Sequence, residues 1–145
     1  MTTDASTAEP VERFLHAYWA GDVYAALAAC TPGFVWLNTA LPKQRLEGHE
    51  QLRAMMVDLA GGFPEPIETG SGGHRTVTWA TRGDEVLHER VDFWTLRGKR
   101  MELACCATWV VEDGLVAEWR DYYDIGAFLR QLAEVGIEMD TSAWW

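Results

Sequence analysis

Positive charge is scarce in this chain. Lys and Arg total 12 against 22 Asp and Glu, a formal net charge of −10. Such an acidic surface argues against nucleic acid and against anionic membrane surfaces as partners. No apolar run is long enough to span a bilayer, and the first residues lack the basic and apolar regions of a secretory leader. Cysteine is sparse too: Cys30, Cys105 and Cys106. Adjacent cysteines on a strand point to opposite faces and rarely pair. A reduced, cytoplasmic protein is the expectation. The chain has no Gly-x-Ser-x-Gly elbow for a nucleophile and no two histidines at metal-ligand spacing. No metal and no cofactor is expected. Internal repeats, low-complexity tracts and linkers are also missing, so residues 1–145 read as one domain.

Aromatic residues, by contrast, are plentiful. Eight Trp, five Phe and four Tyr sit in a chain that is 48% hydrophobic. Most belong to the core or to a dimer interface; some can line a cavity for a bulky apolar ligand. Ser6-Thr7-Ala8-Glu9 has the form of a capping box. Val11, Phe14, Leu15, Tyr18 and Trp19 follow at helical spacing. Asp22 can cap a second helix from Val23 to about Cys30, stopped by Thr31-Pro32-Gly33. Phe34 to Asn38 reads as a short strand, and Thr39 to Gly48 as a loop. A third helix is expected from His49 to Ala60, with Leu52, Met55, Met56 and Leu59 on its apolar side. A strand through Val77 and Trp79 opens a run of four, continued by Glu85 to Leu96, Arg100 to Val111 and Leu115 to Tyr123. The middle of the Arg100 to Val111 strand is continuously apolar, which predicts cover on both faces. Asp124 can cap a last helix through Phe128 and Leu132. Helices segregated from hairpin-linked strands indicate an α+β fold. A strongly curved mixed or antiparallel sheet wrapped around three to four helices would enclose an apolar pocket.

Two strands carry the chemistry. One reads His88-Glu89-Arg90-Val91-Asp92-Phe93-Trp94; the other reads Trp119-Arg120-Asp121-Tyr122-Tyr123-Asp124. Alternate residues of a strand share a face, so Arg90 and Asp92 point together, with His88 and Trp94 in line. Trp119, Asp121 and Tyr123 share a face of the second strand. Charged groups on such strands need partners. If the two faces meet, Asp92, Arg90 and Asp121 form a carboxylate–guanidinium–carboxylate group. The same pattern also fits a purely structural ion pair. The catalytic reading has its own physical logic: such a group can hold one carboxyl protonated and the other ionised, as acid–base chemistry requires. Arg90 favours ionised carboxylates, while burial and mutual repulsion oppose them, so the pair is expected to hold one proton at neutral pH.

The order of elements and these motifs resemble the limonene-epoxide hydrolase group of the NTF2-like, or SnoaL-like, superfamily. The match runs from about Val11 to Phe128. It rests on Glu89-Arg90-Val91-Asp92, on Trp119 to Asp124, and on Asn38 followed by Leu41-Pro42. The resemblance implies roles. Asp121 would be the general base that takes a proton from water, and Asn38 would help hold that water. Asp92 would be the acid that protonates the epoxide oxygen, with Arg90 between the carboxylates. The reaction would be one concerted step with no covalent intermediate and no metal. It also implies pocket walls at Tyr18, Met55, Leu59, Leu103, Cys105, Trp119, Tyr123 and Phe128, for a small hydrophobic substrate. One position departs: the family's third water-holding side chain is a Tyr, and Trp36 stands there. An indole donates but cannot accept.

Two other readings share the pattern. A ketosteroid-isomerase-like or polyketide-cyclase-like enzyme would use Asp121 on an acidic C–H, or open an epoxide with the substrate's own hydroxyl. A binding or dimerisation module would use none of these groups chemically. Homodimerisation through the outer sheet face is implied by the superfamily.

Overall fold

The computed structural model describes residues 4–41, 44–58 and 63–142. The elements are α1 (Ala5–Ala20), α2 (Val23–Ala28), β1 (Cys30–Asn38), β2 (Arg45–Glu47), α3 (Gly48–Val57), β3 (Gly73–Arg82), β4 (Glu85–Leu96), β5 (Lys99–Glu112), β6 (Leu115–Tyr123) and α4 (Ile125–Ala133). All strands join one six-stranded sheet in the order β2-β1-β6-β5-β4-β3. Neighbours are antiparallel except β1 and β6, which run parallel. The fold is α+β with a mixed sheet, as expected. Among the described residues, no helix is long and apolar enough to cross a membrane.

Tight turns set the register. Arg97-Gly98 and Asp113-Gly114 join β4 to β5 and β5 to β6, with φ of 51° and 76°, and 50° and 74°. Positive φ at both central residues matches the right-handed twist of the flanking strands. Once register is fixed, every second residue faces inward. On β4 the inward set is Val86, His88, Arg90, Asp92, Trp94 and Leu96. On β5 it is Met101, Leu103, Cys105, Ala107, Trp109 and Val111. The opposite face of β5 leaves Ala104 and Cys106 exposed, so this chain covers one face of that strand rather than both.

Helix α1 buries Val11, Phe14, Leu15 and Tyr18 against the inner face, at the spacing the sequence predicts. The Phe14 ring lies 5.2 Å from Phe34, 6.1 Å from Trp109 and 5.9 Å from Trp119, centroid to centroid. Burying such a ring contributes about 1.5–3 kcal/mol.

Four boundaries differ from the sequence expectation. Asp4, not Ser6, caps α1: its carboxylate accepts from the Ser6 backbone N–H at 2.9 Å, and its own N–H donates to Thr81 on β3 at 3.0 Å. The tertiary anchor selects the earlier cap. Thr31-Pro32-Gly33 does not stop the chain but lies within β1, where the pairing with β6 shifts between Cys30 and Val35. A bulge tolerates a proline because no ladder N–H is demanded there. Residues 45–47, expected as loop, pair with β1 through Trp36–Leu46 and its neighbours. Three residues are too few to show a period. Helix α3 ends at Val57 rather than Ala60. Pro42, Leu59, Trp144 and Trp145 lie outside the described residues.

Candidate active site

The inward face of β4 presents Arg90, only 1% exposed, and Asp92, 7% exposed. Asp121 points inward from β6, with β5 lying between. The β5 residues facing Arg90 and Asp121 are Cys105 and Ala107. Both are small, so the guanidinium can cross β5 on its inner side and reach the far carboxylate. Arg90 Nε and Nη2 donate to the two Asp92 oxygens at 2.8 and 2.9 Å. Nη2 also donates to Asp121 at 2.9 and 3.1 Å. The guanidinium carbon lies 5.5 Å from the Trp119 ring centroid, a cation–π approach. The carboxylate–guanidinium–carboxylate arrangement foreseen from strand periodicity is thus formed.

Burial raises the Asp121 carboxyl to about 6, with the Asp92 charge adding to it and Arg90 opposing. Burial pulls the Arg90 guanidinium down, but Asp121 and Asp92 outweigh it and hold it charged. The Cys105 thiol, 3.4 Å from Asp92 Oδ2, is pushed up by burial and by that carboxylate. Asp92, Cys105 and Asp121 bring potential ligand atoms within 4.8 Å of one another. Arg90 already supplies a cation to both carboxylates there.

Asn38 stands beside Asp121 in the parallel β1–β6 register. Thr39 holds the Asp121 backbone oxygen through its N–H and its hydroxyl, at 3.0 and 2.6 Å. Asn38 Nδ2 donates to Tyr123 Oη at 3.0 Å and to Gln44 Oε1 at 3.3 Å. Its Oδ1 is buried and meets no hydrogen-bond partner among the described residues. The same is true of Arg90 Nη1 and Trp36 Nε1. Trp36 stacks on Trp119 at 4.7 Å and 8°, and Trp119 on Trp109 at 4.8 Å and 13°. These indoles occupy register positions on adjacent strands, so the stack runs across the sheet.

A cavity of about 90 Å³ opens among these groups. Of the sequence-expected residues, Tyr18, Trp36, Asn38, Asp92, Leu103, Cys105, Trp119, Asp121, Tyr123 and Phe128 line it. Arg90 lies behind the wall and joins the carboxylates. Met55 lines instead a neighbouring chamber of about 320 Å³, which shares Trp36, Asn38 and Gln44 with the first. Leu59 lies outside the described residues. Trp19, Leu41, Gln44, Phe63, Trp94 and Met139 also line the cavity and were not foreseen. Trp94 carried a signal, since it shares the strand period of Arg90 and Asp92; the others arrive from a helix, loops and the C-terminal segment. His88, in line with Arg90, does not reach the cavity. It bonds Thr76 at 2.8 Å in a separate cluster with Glu12.

Comparison with known proteins follows this geometry. The family model described as limonene-1,2-epoxide hydrolase catalytic domain matches residues 5–134. An LEH-like epoxide hydrolase from M. tuberculosis is 24% identical with a TM-score of 0.69, over 90% of this chain and 94% of that one. The "putative SnoaL-like polyketide cyclase" of Jannaschia sp. CCS1 is 19% identical with a TM-score of 0.66, over 95% of this chain and 99% of that one. A ketosteroid isomerase-like fold from Catenulispora acidiphila DSM 44928, solved with trimethylamine, is 17% identical with a TM-score of 0.71, over 85% and 91%. At these identities the structures establish the NTF2-like fold. No curated protein sequence matches. The match along residues 5–134 decides the family: the chain belongs to the limonene-1,2-epoxide hydrolase catalytic-domain family.

Proposed function

We propose that this protein is a cofactor-independent epoxide hydrolase that converts a hydrophobic epoxide to a vicinal diol. The observation that carries the reading is Arg90 hydrogen-bonded to both Asp92 and Asp121 on the wall of an aromatic cavity, with Asn38 beside Asp121. Asp121 accepts a proton from water as the water oxygen bonds to an epoxide carbon. That carbon's bond to the ring oxygen breaks, and its electron pair stays on the oxygen. Asp92 delivers its proton there, giving the second hydroxyl. Arg90 keeps the two carboxyls at fixed separation and lets the pair carry one proton. After turnover that proton has moved from Asp92 to Asp121 and must return before the next cycle. Concerted acid and base assistance contributes about 10²–10⁴-fold each in such reactions. The small cavity suits the reacting ring, and the neighbouring chamber of about 320 Å³ suits the apolar remainder of the substrate. We place a homodimer on the outer sheet face, where Val77, Leu87 and Tyr122 are 48%, 40% and 46% exposed.

The test is product analysis in ¹⁸O-water with a panel of epoxides, from limonene oxide to bulky steroid-like ones. The wild type yields diol carrying one ¹⁸O, and Asp121→Asn lowers the rate about 10²–10⁴-fold. Absence of diol from every epoxide overturns the hydrolase reading. Asp121-dependent C–H exchange in deuterated water would then favour an isomerase or cyclase.

A further inference from the structure

A water that attacks an epoxide has four valences to satisfy. Its two protons need acceptors, one lone pair forms the new bond, and the other is best held by a donor. Two acceptors stand side by side here: the Asp121 carboxylate and the Oδ1 of Asn38, which meets no partner among the described residues. Asn38 can present Oδ1 because its amide is pinned from the other end. Nδ2 donates to both Tyr123 Oη and Gln44 Oε1, so the oxygen faces away from them. A donor completes the set. The position where the family places a phenol holds Trp36, an indole stacked face to face on Trp119 at 4.7 Å, whose Nε1–H can donate but whose ring cannot also accept as a phenol does.

Tyr123 meets the requirement from the adjacent strand. It follows Asp121 by one strand period on β6, so both side chains face the same cavity. Its hydroxyl oxygen already accepts from Asn38 Nδ2, which leaves the phenolic proton to be donated. Burial pushes that phenol up to about 12, so it keeps its proton at neutral pH.

We propose that Tyr123 is a catalytic residue: its phenol donates a hydrogen bond to the nucleophilic water held by Asp121 and Asn38. The water-holding phenol is thus displaced from β1 to β6. This rests on the hydrolase reading above.

The deciding experiment compares wild type, Tyr123→Phe and the double variant Tyr123→Phe with Trp36→Tyr, by steady-state kinetics on the best epoxide of the panel. Losing one donor to the nucleophile lowers kcat about 10–100-fold. KM stays within about twofold, because the water and not the epoxide has lost its contact. The diol retains one ¹⁸O, and the acidic limb of the rate profile stays where Asp121 sets it. Returning a phenol to β1 in the double variant recovers at least about fivefold of kcat. A Tyr123→Phe rate within threefold of wild type overturns the proposal and leaves the hydrolase reading intact. So does a loss shared between kcat, KM and thermal stability, or a double variant with no recovery, since each makes Tyr123 a support for Asn38 alone. A wild type that forms no diol removes the hydrolase reading and this proposal with it.

Discussion

Strand β4 builds two buried polar clusters a single strand period apart, and they behave in opposite ways. At Arg90 and Asp92 the inward face meets Asp121 and a cavity. At His88 it meets Thr76 and His74 of β3 and Glu12 of α1. In the second cluster the hydrogen bonds join these side chains to one another, while His88 Nδ1 meets no partner among the described residues. His74 Nε2 lies 2.7 Å from one Glu12 oxygen, and Thr76 donates to the other at 2.5 Å. With its only proton spent on Glu12, the Thr76 oxygen accepts from His88 Nε2 at 2.8 Å. The His74 hydrogen bond, joined by that of Thr76, lowers the Glu12 carboxyl to about 2, and burial lowers His88 to about 4. In the first cluster burial prevails over Arg90 and lifts Asp121 to about 6. Carboxyls within one small fold thus separate by environment. The one met by local donors stays ionised, and the one sunk beside a second carboxyl is ready to take up a proton.

The comparison breaks most severely at Arg90. Arg90→Met leaves two carboxyls buried without their cation, at a cost of about 3–5 kcal/mol near neutral pH. The deficit shrinks at pH 5, because protonation relieves the orphaned charge. Urea unfolding at both pH values checks this, and an equal deficit at both would show that Arg90 acts through packing alone. A second effect follows from Asp121. With its carboxyl raised to about 6, hydrolysis falls as pH drops through that value, approaching tenfold per pH unit below it. A rate that stays flat down to pH 4.5 would remove Asp121 as base.

The smallest effect sharpens the contrast. His88 is lowered from 6.5 to about 4, so its contribution is complete above 6.5 and lost as pH falls through 4. Asp121 is raised from 3.8 to about 6, so its contribution is complete below 3.8 and lost as pH rises through 6. Between about 4 and 6 the two slopes oppose each other, each near 1.4 kcal/mol per pH unit at most. His88→Gln therefore removes the slope that opposes Asp121, and the variant's stability falls less, or rises more, on acidification across that interval than that of wild type. Unfolding free energies at half-unit steps of pH resolve the two curves.

Much of this was legible in advance because a period of two is a strong geometric statement. It puts Arg90 with Asp92, and Asp121 with Tyr123, on shared strand faces without knowledge of the pairing. The spacing could not say which neighbours arrive from afar. His88 looks equivalent to Arg90 along β4, yet Glu12, 76 residues earlier, meets it at 3.7 Å and closes that end. Gln44 sits just before a strand too short to show its alternation, so its hold on Asn38 was invisible. Period puts Tyr123 on one face with Asp121 and the family resemblance implies a place on the wall, but its hydrogen bond to Asn38, 85 positions away, depends on the parallel register of β1 against β6. The cap of α1 moved for the same reason, drawn to Asp4 by a contact with Thr81.

The indoles at Trp36, Trp119 and Trp109 stack in near-parallel planes at 4.7 and 4.8 Å. Chromophores so close share their excited states, and where their in-plane transition dipoles are skewed their circular dichroism splits into paired bands of opposite sign. The protein therefore carries an optical gauge of β1, β6 and β5 in register. It also reports on the cavity, since Trp36 and Trp119 line it. Entry of a ligand, or the exchange of Trp36 for tyrosine, becomes readable without a label.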